Sequence, residues 1–225
     1  NFLSNFMVIT IDGPAGVGKT TTAKKLAKKL EFRYLDTGAM YRAITYFFIK
    51  NNVDVNSEEM VANFLDLLKL EVDFSIDNQT KIVLNGEDIS DDIRRKEVTN
   101  EVSKVSALKK VREKTVKLQK EIVNNKDFVV EGRDIGTVVF PNAEHKFFLT
   151  ADYDVRAERR SKDFNKVNEN HQINDIKKDL IERDTRDSNR DLSPLKKAED
   201  AIVIDTSNCT IDEQVDEIYN YIKGI

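Results

Sequence analysis

The chain has 225 residues, 36 Lys+Arg against 40 Asp+Glu, and a formal net charge of −4, a balance that weighs against a general nucleic-acid binder with its basic surface. Its 40% hydrophobic and 34% charged residues are ordinary for a globular protein large enough for one core with an inserted subdomain. A lone cysteine, Cys209, excludes an internal disulfide, His145 and His171 offer no Cys/His zinc set, and no stretch approaches the roughly 18 apolar residues of a membrane span.

Residues 1–6 read as an extension ahead of Met7, and no basic residue precedes Lys19, so the N-terminal stretch lacks the pattern of a secretory signal. Met7–Ile11 predicts a short apolar strand. Directly after it, Gly13-Pro14-Ala15-Gly16-Val17-Gly18-Lys19-Thr20 matches G-x-x-x-x-G-K-[ST], the phosphate-binding P-loop. Ala23, Leu26, Ala27 and Leu30 then recur at i, i+3, i+4 and i+7, one face of a helix. Strand, glycine loop, lysine and helix are what a polyphosphate needs. Glycines let backbone N–H groups converge on it, the helix N-terminus adds a favourable dipole, Lys19 adds a mobile charge, and the Thr20 hydroxyl can ligate magnesium.

A second strand, Phe32–Leu35, ends at Asp36-Thr37-Gly38, with Tyr41-Arg42 one turn later on a helix that carries Ile44, Phe47 and Phe48. A further helix is expected near Ser57–Leu68. The period then changes to two: Leu70, Val72, Phe74 and Ile76 alternate with polar residues, as do Ile82 and Leu84, while Asp77-Asn78 and Asn85-Gly86 mark turns. This β element interrupts a βα chain and reads as an insertion. Helical periodicity returns at Val111, Thr115, Leu118 and Ile122, and Phe128–Val130 is a buried strand ending at Glu131-Gly132-Arg133-Asp134-Ile135-Gly136-Thr137. Lys146–Leu149 and Ala201–Ile204 are further strands, and Ile211, Val215, Ile218 and Ile222 mark the last helix. Short apolar runs separated by helices predict an α/β fold with a parallel sheet covered on both faces.

Between the last two strands lies a polar stretch, Ser161–Asn174, without a core-forming pattern, a candidate lid. Arg156, Arg159 and Arg160 precede it and either reach a transferring phosphoryl group or coat a helix. After it, Arg183, Asp187 and Arg190 fall at i, i+4 and i+7 and would share a helix face. An arginine fork grips phosphate, and a carboxylate accepts from a sugar hydroxyl. Ligands of open α/β sheets collect beyond the strands' C-terminal ends, so the P-loop, Asp36-Thr37-Gly38 and the Gly132–Thr137 loop should meet in one cleft.

Taken together, Asp12–Thr20, Asp36-Thr37-Gly38-Ala39-Met40-Tyr41-Arg42, Glu131–Val139, Arg183–Arg190 and Ser193-Pro194-Leu195 identify a resemblance. From Met7 to its end the chain resembles bacterial cytidylate kinases, the CMP/dCMP branch of the nucleoside-monophosphate kinases. The P-loop alone is widely shared, and the specificity lies in the second and third signatures. The resemblance implies a P-loop NTPase fold, a three-layer αβα sandwich on a five-stranded parallel sheet. It implies one kinase domain over 7–225: core 7–38, 105–155 and 190–225, an inserted monophosphate-binding subdomain near 39–104, and a short lid near 156–189. It implies transfer of the γ-phosphate of ATP to CMP or dCMP with Mg²⁺.

By the same resemblance, Gly13, Pro14, Ala15, Gly16, Val17, Gly18, Lys19, Thr20 and Thr21 would hold the ATP phosphates, with Arg159 and Arg160 from the lid and Thr20 on the metal. Arg42, Arg133 and Arg190 would hold the acceptor phosphate, Thr37, Arg183 and Asp187 the sugar, and Ser103, Arg112 and Asp134 the cytosine edge. Lys19, Arg133 and Arg190 would carry catalysis. Position 131 is Glu where Asp is also found in the family. The implied partners are small molecules, in a cytoplasmic monomer without nucleic-acid or membrane binding. Two other readings stand beside this one: a P-loop kinase acting on UMP, AMP or another small acceptor, and a nucleotide-binding module without catalysis. A GTPase switch fits poorly, because Asn125-Lys126-Asp127 and Asn165-Lys166-Val167-Asn168 both miss the Asn-Lys-x-Asp guanine motif.

Overall fold

The structure, a computed structural model, describes residues 6–74, 80–166 and 172–225. The expected strand residue Ile76, the Asp77-Asn78 turn, His171 and the middle of the polar stretch 161–174 lie outside the described residues. In chain order the elements are β1 (Val8–Asp12), α1 (Lys19–Leu30), β2 (Arg33–Asp36), α2 (Thr37–Lys50), α3 (Glu58–Leu67), β3 (Leu70–Phe74), β4 (Thr80–Leu84), β5 (Glu87–Asp88), α4 (Lys96–Val105), α5 (Lys109–Val123), β6 (Phe128–Gly132), β7 (His145–Thr150), α6 (Tyr153–Lys166), α7 (Ile173–Ser188), β8 (Ile202–Asp205) and α8 (Ile211–Lys223).

Five strands form one parallel sheet in the order β2-β6-β1-β7-β8. In register, Asp12 stands beside Gly132, and Asp36 beside Glu131, so the polar strand ends lie side by side along one edge. The apolar runs alternate between two cores. Ile9, Ile11, Tyr34, Val129 and Phe147 pack with Ala23, Leu26, Val215 and Ile218 of α1 and α8. Leu35, Phe128 and Val130 pack on the other face with Met40, Ile44 and Phe48 of α2 and with Val111 of α5. Phe128 and Phe147 are fully enclosed, each contributing about 2–3 kcal/mol of burial. This is the α/β sandwich implied by the sequence.

The insertion is a separate antiparallel sheet, β3-β4-β5. Leu70, Ile82 and Leu84 join the α2 core while Glu71, Asp73 and Lys81 alternate away from it. Asn85 and Gly86 join β4 to β5 with positive φ at both residues, the backbone of a tight two-residue hairpin.

Three expectations need correction. Residues 96–105 form a helix, α4, that the periodicity left unassigned. Ser161–Lys166 continues α6. This helix buries an arginine, Arg156, in place of an apolar stripe, so it left no hydrophobic period to read. Arg190 does not sit on a helix face: α7 stops at Ser188, and Leu195 N–H returns to the Asp187 carbonyl at 2.8 Å. Arg190 nevertheless stays against Asp187 from beyond the helix end.

The P-loop is held against β7. Gly13 has φ +147, and a Cβ there would lie 2.3 Å from the Leu149 carbonyl oxygen. Gly13→Ala is therefore expected to lower stability by about 1–3 kcal/mol, read as a lower midpoint in denaturant; an unchanged midpoint would mean that β7 does not fix this turn.

Candidate active site

The donor side starts at β1. Gly16 and Gly18, at φ +80 and +93, turn the loop so that α1 begins at Lys19. Lys19 is buried, and its ammonium donates to the Pro14 carbonyl at 2.6 Å. Burial lowers its pKa well below the ordinary lysine value, as does the charge of Arg133, while Glu131 and Asp12 act the other way. Thr20 and Thr21 follow Lys19 in the first turn of α1 and are exposed. Val17 turns inward to the α1 and α8 core, and its carbonyl accepts from Thr206 Oγ1 at 3.0 Å.

Beside the loop, Asp12 ends β1 with its carboxylate accepting from the N–H groups of Ile135 at 2.9 Å and Gly136 at 2.7 Å. These belong to a π-helical turn, Ile135–Val139, that follows β6. Burial pushes the Asp12 carboxyl up to about 6, against the pull of those N–H groups and of Lys19. Glu131 is likewise raised, by burial and by Asp36; Tyr34 Oη donates to it.

The acceptor side is a set of arginines, several locked to carboxylates. Asp36 caps α2, accepting from Ala39 N–H at 2.8 Å with one oxygen and from Arg42 at 2.8 Å with the other. Burial works against that carboxylate, yet Arg42 and the Ala39 N–H hold it below its ordinary value. Asp187 of α7 accepts from Arg133 Nε at 3.1 Å and from Ser103 Oγ at 3.4 Å, and pairs with Arg190. The three arginines around it, Arg133, Arg190 and Arg183, outweigh its burial and keep it ionised below the usual range. Arg112 of α5 and Asp134 form a fully buried ion pair; Arg112 also donates to the Ser106 carbonyl at 3.3 Å and lies 5.4 Å from the centre of the Tyr41 ring. Burial, opposed by Arg112, raises the Asp134 carboxyl.

Among the described residues the Nε atoms of Arg42 and Arg183 are both buried without a hydrogen-bond partner, and at Arg183 burial together with Arg133 brings the pKa down to about 9. A buried donor beside another cation is relieved by an anion.

These groups border one cleft of about 500 Å³. Thr37, Arg42, Ser103, Arg112, Arg133, Asp134, Arg183, Asp187 and Arg190 all line it, and so do Ala15, Gly16, Gly18, Lys19, Thr20, Thr21, Arg159 and Arg160. Gly13, Pro14 and Val17 do not: Gly13 is pressed on β7 and Val17 on the core. The cleft also takes in Asp36, Tyr41, Ser106 and Glu131, to which residue patterns alone gave no role. An aspartate three residues before Ala39, in an Asp-Thr-Gly-Ala run opening a helix, is an N-cap signal and could have assigned Asp36. Among the described residues, no group of three or more His, Cys, Asp or Glu could hold a metal by itself, and no helix is long and apolar enough to cross a membrane.

A protein-family model described as cytidylate kinase matches residues 9–224. A protein named cytidylate kinase from Lactobacillus johnsonii is 47% identical over 222 residues, covering 98% of this chain and 96% of its own. Proteins of the same name from Clostridium botulinum and Protochlamydia amoebophila are 45% and 46% identical, each over 96% of this chain, covering 97% and 96% of their own.

Asp12 offers a direct check of the site's electrostatics. Its folded pKa of about 6 lies above its ordinary 3.8. Its contribution to stability is therefore complete below about 3.8 and is lost as pH rises through about 6. Carbon-13 NMR of the Asp12 carboxyl is expected to give a midpoint near pH 6; a midpoint near 3.8 would mean that the carboxylate is solvated.

Proposed function

The chain belongs to the cytidylate kinase family, and we propose that it transfers the γ-phosphoryl group of ATP to CMP or dCMP, giving ADP with CDP or dCDP. The observation that carries this reading is that Lys19 of the P-loop and the arginines Arg42, Arg133, Arg183 and Arg190 border the same cleft, with the Arg112–Asp134 pair in it. One triphosphate and one monophosphate would thus meet among fixed positive charges.

In this reading the loop Gly13–Thr21 holds the ATP phosphates, with Arg159 and Arg160 closing over them. Arg42, Arg133 and Arg190 hold the acceptor phosphate, and Thr37, Arg183 and Asp187 hold the sugar. Ser103, Arg112 and Asp134 read the base. A carboxylate accepts from the exocyclic amine of cytosine, whereas uracil offers a carbonyl oxygen at that point, and two acceptors facing each other repel.

The acceptor is a phosphate oxygen already ionised at neutral pH, so no strong general base is needed. Catalysis is positioning and charge neutralisation, with Lys19 between donor and acceptor and the arginines on the phosphoryl oxygens. Thr20 and the buried Glu131 offer hard oxygen donors that fit magnesium, a cation that takes few protein ligands and keeps phosphate oxygens and waters. Thr20 would ligate the ion and Glu131 would orient its water; when bound, magnesium offsets charge on the transferring phosphoryl group.

The same reading divides the chain into a core of 7–38, 105–155 and 190–225, a monophosphate-binding insertion near 39–104, and a lid near 156–189 that excludes water on closing. It places the enzyme in the cytoplasm as a monomer.

A steady-state assay with ATP, magnesium and each of CMP, dCMP, UMP and AMP tests the proposal. CMP and dCMP are expected to give the highest kcat/KM, and a preference for AMP or UMP would contradict it. Asp134→Asn presents an amide donor, so the CMP-over-UMP ratio is expected to fall by about tenfold or more; an unchanged ratio would take Asp134 out of base reading.

A further inference from the structure

Ala15, in the middle of the P-loop, is enclosed by the two helices that follow β7. Its side chain shares a buried apolar cluster with Ala157 of α6 and Ile176 and Leu180 of α7. Its carbonyl accepts from Arg156 Nε at 2.7 Å, and its N–H donates to Asp184 Oδ1 at 3.3 Å. Arg156 and Asp184 pair with each other, closing a ring through both faces of one residue's backbone. The two side chains are 3% and 9% exposed. One residue on, a Cβ at Gly16 would lie 3.3 Å from the Arg156 Cβ, so α6 rests directly on the loop.

Neither Arg156 nor Asp184 lines the cleft. A P-loop that turns N–H groups toward phosphate turns carbonyls away from it, and a buried carbonyl needs a donor. At Ala15 that donor is a guanidinium fixed by a carboxylate. Helix packing alone has no need of a buried ion pair, because apolar side chains of similar volume serve as well or better.

We infer that Arg156 and Asp184 are positioning residues for the donor phosphates, fixing the Ala15 backbone and tying the P-loop to α6 and α7. The inference rests on reading the loop as the ATP site. The tie is made by α7, the helix that also carries Arg183 and Asp187 to the acceptor side. The shape of the donor loop is thus set from the helix pair that would close over it.

Asp184→Asn keeps the side-chain shape but removes the charge that orients Arg156. Arg156→Lys keeps the charge opposite Asp184 but lacks the planar fork that serves Asp184 and the Ala15 carbonyl together. For each variant, thermal melting checks folding, and titration calorimetry measures a non-hydrolysable ATP analogue and CMP separately. Both variants are expected to melt cooperatively and to bind the analogue about tenfold more weakly, the size of one charge-assisted hydrogen bond. CMP binding is expected to stay within about twofold. Should Asp184→Asn fail to fold, Arg156→Lys carries the test. Unchanged binding of the ATP analogue, or an equal loss for both nucleotides, would overturn the inference, since a merely structural role in α7 would disturb Arg183 and Asp187 as well. Failure of the wild-type chain to bind the analogue or to phosphorylate CMP would strike instead at the functional reading.

Discussion

Crowding of like charge at the C-terminal edge of the sheet is the constraint around which this molecule is built. Lys19, Arg42, Arg112, Arg133, Arg183 and Arg190 border one cleft, several of them with little water around them. Like charges so close raise the energy of the fold unless carboxylates offset them. Asp36 serves Arg42, Asp134 serves Arg112, and Asp187 serves both Arg133 and Arg190. The Lys19 ammonium instead donates to the Pro14 carbonyl, with Glu131 and Asp12 offsetting its charge, and Arg183, offset by Asp187, keeps a buried Nε without a hydrogen-bond partner among the described residues. Cations outnumber carboxylates along the cleft.

The fold's task is to hold this arrangement still. Asp12, Asp36 and Gly132 occupy adjacent strand ends in fixed register, so the loops that leave them cannot drift apart. The Asp12 carboxylate then stitches the end of β1 to the turn after β6. Behind the edge, the two apolar cores on opposite faces of the sheet supply rigidity, and Tyr41 and Val102 of one of them form part of the cleft wall. Preorganised charge of this kind can stabilise a phosphoryl-transfer transition state without reorganising at the moment of reaction. The same logic extends outward to Ala15, where the Arg156–Asp184 pair holds the back of the loop.

What the residues alone revealed follows from the kind of signal each element leaves. The P-loop, the strand runs and the Asn85-Gly86 turn carry backbone requirements or a two-residue period, and the structure places them where the pattern predicts. Helix α6 left no such trace, because a helix that buries a guanidinium reads as a solvated, charged one. Asp184 is hidden for the same reason: in the run Glu182–Asp187 nothing local distinguishes the buried Asp184 from the exposed Glu182 and Arg186. Helical spacing puts Arg190 on the face of α7, whereas the helix ends at Ser188 and Arg190 reaches the cleft from beyond it. Ser103 and Arg112 came from resemblance, and their position beside Asp187 and Asp134 depends on contacts between α4, α5, α7 and the β6 loop that no local pattern encodes.

If the chain works as proposed, one cleft holds a donor and an acceptor nucleotide at once. The most direct measurement is calorimetric binding of a bisubstrate analogue in which adenosine and cytidine are joined through a polyphosphate chain. One analogue per chain is expected, bound more tightly than ATP or CMP alone and displaced by either. Binding of two analogues per chain, or displacement by only one of the two nucleotides, would contradict it.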